Sequence, residues 1–381
     1  MQKLALAIAL ATVIASPDVA AAACNWSVVP SPNYGGSLND LYAVSATSAT
    51  DAWAVGFGDI HPLAEHWNKS AWSIISAPNA HNFTDEFFGV AADSPTDAWA
   101  VGDTLLREGG NVFAPLIEHW NGTAWTVVPN PGVGPFGGYL QGIVAFSPTD
   151  VWADGAKYTT SSGNSVTLIE HFNGTSWKIV HSPNVNTIYN QVYALSATGP
   201  SDIWAAGIFA PDGSHLDIHQ TLIEHYNRTI WTIVPSPNQN AFSNNTNAIA
   251  AVNSGFAFAT GDYYNGTTFR TLAERWKGTG WSIQSSPNHG TKENDIFGMA
   301  ARSVNSAIAV GQFSQGNYTQ TYAMKWNGTA WVSTTPLNVG PYDSFFNGAV
   351  AVPGTLDYWA VGGTDDVNYF RYHTLIEIYH C

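Results

Sequence analysis

The stretch LIEHYNRTIWTIVPSPN, Leu222 to Asn238, is written several times in this chain. Close copies are LIEHWNGTAWTVVPNPG from Leu116, LIEHFNGTSWKIVHSPN from Leu168 and LAEHWNKSAWSIISAPN from Leu63. Its tryptophan recurs as Trp26, Trp72, Trp125, Trp177, Trp231, Trp281 and Trp331, at spacings of 46, 53, 52, 54, 50 and 50 residues. A second signature, DAWAVG, starts at Asp51 and Asp97, and returns as DVWADG from Asp150, DIWAAG from Asp202 and DYWAVG from Asp357. FAFATG from Phe256 and SAIAVG from Ser306 are its degenerate copies. A fixed period of this length is the mark of a repeat architecture with seven units.

Each unit holds four short runs rich in β-branched and aromatic residues, bounded by turn residues. In the fourth unit they are QVYALSA, DIWAAG, TLIEHY and WTIVPS. The last two are joined by NGT or NRT, a link suited to a tight hairpin. Helical periodicity is absent from Cys24 onward. The expected fold is therefore all-β, a seven-bladed β-propeller of four-stranded antiparallel blades over residues 24–381. The first run, NWSVVPSPN, is a lone fourth strand, and the final runs FNGAVAV, DYWAVG and TLIEIY supply strands one to three. Pairing them completes the seventh blade from both ends of the chain and leaves no open sheet edge.

Two cysteines support that closure. Aligned on LAEHWNKSAWSII, Cys381 falls at the place of Lys69 and Cys24 at that of Ser70, in the hairpin turn of the other blades. A Cys24–Cys381 disulfide is expected to replace that turn, and chain entropy credits the closing of so long a loop with several kcal/mol. The alternative is a lipoprotein acylated at Cys24, which would place Ala21 where Leu is usual and leave Cys381 unpaired. Residues 1–23 read as a secretory signal peptide: Lys3, the apolar LALAIALATVIA and an alanine-rich cleavage region. An oxidising, extracellular or periplasmic location follows.

Of the 381 residues 45% are hydrophobic and 13% aromatic, only 11% are charged, and the formal net charge is −15. Such an acidic surface has no footprint for nucleic acid or anionic membrane, and no other run is long enough to span a bilayer. A monomer is expected. The tryptophans all fall at repeated positions, which points to packing between blades; stacking platforms for sugars, one per blade, are the alternative. Glu65, Glu118, Glu170, Glu224, Glu274 and Glu377 repeat in LIEH, so they read as hydrogen-bonded scaffold carboxylates. The histidines after them read as half-exposed and tolerant. The Asn-Gly-Thr sequons coincide with hairpin turns, which account for them without sugar.

Function should sit on the face carrying the long links between strands two and three and between blades. Asp59, His61, Arg107, Glu108, Asp212, His215, Asp217, His219, Asp262, Tyr263, Tyr264, Arg270, Asp365, Asp366, Tyr369, Arg371 and His373 are its candidate ligand-binding residues. One position near the start of strand three is His61, Gln220, Arg270, Gln320 and His373 in five blades but Ala114 and Val166 in two. That reads as a polar arc around an off-centre ligand. No catalytic residue, metal site or cofactor is assigned; the oxygens of PDGSHLD (Pro211–Asp217) offer Ca²⁺ an alternative to an ordinary turn, without EF-hand spacing. Three readings follow: a secreted protein binding extracellular carbohydrate or a surface polymer, a polysaccharide lyase or glycoside hydrolase acting at the axial mouth, and a protein-interaction scaffold. The resemblance is to the seven-bladed propeller class, with a terminal closure similar to that of WD-repeat and secreted lectin-like propellers. It covers Asn25 to Cys381. The Gly-His and Trp-Asp pairing of WD repeats is missing, so the resemblance carries over architecture and no functional residue.

Overall fold

The computed structural model describes residues 24–36, 38–81, 83–106, 112–212, 218–366 and 371–381. They form strands β1–β28 in chain order, arranged in seven four-stranded antiparallel sheets. Blade 1 consists of β2 (Asn39–Ser48), β3 (Asp51–Gly58), β4 (His61–Trp67) and β5 (Trp72–Ile74), and blades 2 to 6 repeat this order outward. In blade 7, β26 (Ser344–Ala351), β27 (Tyr358–Asp365) and β28 (Tyr372–His380) are completed by β1 (Asn25–Val28), paired from Asn25↔His380 to Val28↔Glu377. Cys24 and Cys381 are disulfide-bonded, their Cα atoms 4.4 Å apart. The bond stands where other blades make a turn through a positive-φ residue such as Lys69 or Gly122.

Tryptophans join the blades, as the repeat suggests. The fourth-strand tryptophan of blades 1 to 6 meets the DxW aromatic of the blade before it: Trp125 on Trp53 at 5.0 Å, Trp177 on Trp99 at 5.6 Å, Trp72 on Trp359 at 5.5 Å. All of these rings are buried. Edge-on pairs of this kind add to the area they remove from water. Trp26 from β1 instead packs on rings of its own blade, 5.7 Å from Phe346 and 5.0 Å from Tyr379, and reaches blade 6 by donating to Thr334 Oγ1 at 3.0 Å.

The final glycine of DAWAVG is fixed by a bulge. In blade 2 the inner strand (Asp85–Ser94) slips register between Phe87 and Gly89 as it pairs with the next strand. The backbones close so far that a Cβ on Gly102 would lie 1.8 Å from the Glu86 carbonyl oxygen. Gly56, Gly155, Gly207, Gly261, Gly311 and Gly362 meet the same obstruction in the other blades.

The histidine after LIE is not a tolerant position. His66, His119, His171 and His225 place Nε2 2.7, 2.9, 2.8 and 2.6 Å from Asp51, Asp97, Asp150 and Asp202, and each ring lies against the DxW tryptophan. Where the aspartate is replaced the histidine is replaced too: Arg275 lies over Phe256, and Lys325 donates to the Tyr379 hydroxyl at 3.0 Å. In blade 7 Asp357 pairs with His380 instead, at 3.3 Å.

The LIEH glutamates are fully buried, and most of them lack the expected hydrogen bond among the described residues. Glu377 accepts the Leu337 backbone N–H at 3.0 Å, whereas both carboxyl oxygens of Glu65, Glu118, Glu170 and Glu274 lack a partner among the described residues. Burial raises these carboxyls, to about 9 for Glu118 and about 8 for Glu170 and Glu274. They are held as neutral acids, the cheaper form where no cation is near.

Candidate functional site at the axial mouth

Side chains two apart on a strand share a face, so each inner strand turns alternate residues toward the propeller axis. At one level these are Tyr42, Phe88, Gln141, Tyr193, Asn247, Phe297 and Asn347, a ring of four aromatics and three carboxamides around the channel. Toward the long-link face, Tyr42, Gln141, Tyr193, Asn247, Phe297 and Asn347 join Ile208, His219 and Asn245 to line a cavity of about 400 Å³. The amides are oriented by the next blade: Asn347 Nδ2 donates to the Leu41 carbonyl at 3.0 Å and Asn247 Nδ2 to that of Ile296 at 2.8 Å.

Two residues nearer the mouth the same strands carry Asp40, Glu86, Tyr139, Gln191, Asn245, Asp295 and Phe345. Here the wall divides. Around blades 3 and 4 the hydroxyls of Tyr139, Tyr189 and Tyr193 all donate to Gln191 Oε1, at 3.0, 3.0 and 2.9 Å. Around blade 5 Asp262 accepts from Asn245 Nδ2 at 2.7 Å and Asn247 Nδ2 at 2.9 Å, and in blade 6 Gln312 donates to Asp295 at 3.1 Å.

Desolvation raises the carboxyls in this wall. Asp40 is pushed to about 8, with its Asn347 bond pulling the other way, and Asp103 to about 8, with Glu86 and Asp85 adding repulsion. Asp262 rises to about 7 through burial and Asp295, against its two amide bonds. Asp295 rises to about 6, and Glu86 is also raised by burial. At neutral pH part of this wall therefore presents uncharged carboxyls, able to donate as well as accept. Among the described residues lining the cavity His219 is the only basic side chain, and no group of His, Cys, Asp and Glu there or elsewhere among the described residues could hold a metal.

The residues singled out from sequence scatter around this mouth. His219 lines the cavity, with Nδ1 3.2 Å from Asn245 Oδ1 and its ring stacked on Tyr189. Asp262 stands in the axial wall. Asp59 secures its own loop, at φ 57°, by accepting backbone N–H groups of Gly36 and Leu38 at 3.1 and 3.2 Å. Asp365 is buried, while Asp212 and Arg371 are exposed. Tyr263 alternates away from the axis, and Tyr264 packs on Phe242 and Phe269. Arg107, Glu108, His215, Asp217 and Tyr369 lie outside the described residues.

The polar arc at the start of strand three reaches sideways onto loops. Gln220 donates to the carbonyls of His219 and Phe242 at 2.9 and 3.0 Å, Gln320 to those of Thr319 and Tyr342 at 3.1 and 3.3 Å, and Arg270 to that of Lys292 at 3.0 Å. His61 contacts Asn79 at 3.0 Å, and His373 pairs with Asp366 at 2.8 Å. The asparagine of SPN adds a further clamp: Asn184, Asn238 and Asn288 accept the backbone N–H of Thr167, Thr221 and Thr271 at 2.9, 3.0 and 2.9 Å. The mouth is thus framed by fastened loops.

No protein-family model matches the chain, and no curated protein matches it. Among solved structures it is similar to an ulvan lyase of polysaccharide lyase family PL25 bound to a GlcA(1-4)Rha3S unit, with TM-score 0.61 and 11% identity over 91% of this chain and 95% of that one. It is also similar to YCF48 bound to a D1 peptide, with TM-score 0.56 and 13% identity over 93% and 97%. The WD40 propeller of Doa1 gives 0.55 and 11% over 93% and 96%. At such identities the likeness is one of fold.

Proposed function

We propose that this protein is an exported propeller that binds a neutral, hydroxyl-rich ligand, an extracellular carbohydrate or surface polymer, at the axial mouth of its long-link face. The observation that carries the reading is the axial ring, where aromatic faces alternate with fixed carboxamides beside carboxyls driven toward their neutral form. Aromatic rings offer sugars an apolar face to stack on, and amides offer paired donors and acceptors. The apolar segment before Cys24 and the disulfide support export.

The lyase alternative fits the lining less well. A lyase acting on a uronate polymer needs a cation against the substrate carboxylate, and the described lining supplies only His219. Hydrolysis has one observation in its favour: Asp40 and Asp103 are acids held protonated near neutral pH, as a general acid must be. A glycan and polysaccharide array on the oxidised protein, with reducing-end release assayed alongside, separates these readings. Binding without release, abolished by Tyr193→Ala or Asn247→Ala at unchanged thermal stability, is the expected result. Release lost in Asp40→Asn or Asp103→Asn would assign hydrolysis, and silence on the array would move the weight to a protein partner.

A further inference from the structure

Beside the mouth, where the ring closes between blades 7 and 1, lies a second and more apolar pocket of about 200 Å³. Tyr42 and Phe57 of blade 1 and Phe345 and Tyr372 of blade 7 supply four aromatic rings to its lining, with Leu38 at its edge. Backbone pairing of Leu38 with Tyr372 joins the two blades there. Its one acidic group is Asp40, whose carboxyl accepts from Asn347 Nδ2 at 3.1 Å and pairs with no cation among the described residues. A Cβ on Gly363 would lie 2.9 Å from Phe345 Cζ and 3.0 Å from Asp40 Oδ1, in the gap between ring and carboxyl.

Several aromatic faces around one recessed carboxyl are the parts that hold an organic cation, through ring quadrupoles and a counter-charge. Asp40, protonated at rest near neutral pH, gives up its proton to bulk water when such a cation docks beside it, whereas a neutral guest leaves it protonated. Size agrees, since a cavity of about 150 Å³ holds a benzene molecule and this one is somewhat larger. The charge of −15 favours the approach of a cation. We propose that this pocket binds an organic ammonium group, a quaternary or methylated amine, with Asp40 as its counter-charge and Tyr42, Phe57, Phe345 and Tyr372 as its cage. The proposal does not depend on the carbohydrate reading of the axial ring, because it is tested with a small cation alone.

The test is calorimetric titration of the oxidised full chain with choline and with its uncharged carbon isostere, 3,3-dimethylbutan-1-ol. Choline is expected to bind at least about tenfold more tightly, the gain of a desolvated cation over several rings. Asp40→Asn should remove most of that preference, and Gly363→Ala should weaken both ligands by filling the gap. Phe57→Leu keeps an apolar wall without a ring, so it should weaken choline and spare the alcohol; it serves as the independent variant if Asp40→Asn does not fold. Equal affinity for the two ligands, or no binding of choline, overturns the proposal.

Discussion

Removing the disulfide with Cys24→Ser and Cys381→Ser should loosen the ring from one identifiable place. The bridged residues are 357 apart in sequence, and the chain-entropy relation puts the ceiling for closing such a loop at about 6 kcal/mol at 25 °C. Measured losses for native disulfides run at about 2–5 kcal/mol, and the structure says why the lower part applies here. With the bond gone, β1 remains paired with β28 over Asn25 to Val28, and Trp26 stays wedged against Phe346 and Tyr379. With an unfolding entropy of about 2.1 cal/mol/K per residue, a loss of about 2–3 kcal/mol lowers the melting temperature of a chain this size by about 3–4 °C. The opening should also become local. Amides of Trp26 to Val28 and their partners in β28 should exchange with deuterium well before those of β2, whereas in the oxidised protein they exchange together with the rest of blade 7. Calorimetry and hydrogen exchange on both forms test this. An unchanged melting temperature with uniform exchange would refute the view that the bond takes the place of a hairpin turn.

Three further outcomes follow from named contacts. Glu118 has a folded pKa of about 9 against an unfolded value of about 4.3, so the folded state holds the extra proton between them; its contribution is complete below the lower value and is lost as pH rises through the upper. Glu118→Gln should therefore melt like the parent at pH 5 and above it at pH 9, and parallel curves would dismiss the neutral-acid reading. Gly102→Ala should destabilise by about 1–3 kcal/mol or more, because backbone must move to admit the Cβ; chemical denaturation measures it. Asp97→Ala should cost about 1–3 kcal/mol by stranding the His119 ring, and the double variant with His119→Ala should cost less than the sum of the two singles.

Repetition made the fold readable. A strand pattern that is ambiguous once becomes decisive when written seven times, and the broken copy at the two ends identified the blade that joins them. The His–Asp pairs were open to the same method: Asp and His occur together in blades 1 to 4, and Phe256 with Arg275 and Ser306 with Lys325 change together. They escaped because each partner, taken alone, looks like an ordinary exposed polar residue. The cavity at the mouth was legible only in outline. Loops drew the attention, yet Gln220, Gln320 and Arg270 turn sideways onto neighbouring carbonyls, a direction that strand spacing does not encode. The lining comes instead from one inner-strand position, Tyr42, Phe88, Gln141, Tyr193, Asn247, Phe297 and Asn347. The signal there was variety at a single site inside an otherwise uniform repeat.

The position of β1 sets a timetable. Blades 1 to 6 are each written contiguously, so each sheet can pair as soon as its own fifty or so residues have emerged from the ribosome or from a membrane pore. Blade 7 cannot, because its outermost strand is made first and its other three strands last. Until β28 arrives, Trp26 has no partner in its own sheet, and the growing molecule is an open arc with two unsatisfied flanks. The ring therefore locks in a single final event, in which strand pairing, tryptophan burial and the meeting of two thiols coincide. A molecule cut short by even its last strand would keep six sound blades and still be unable to close.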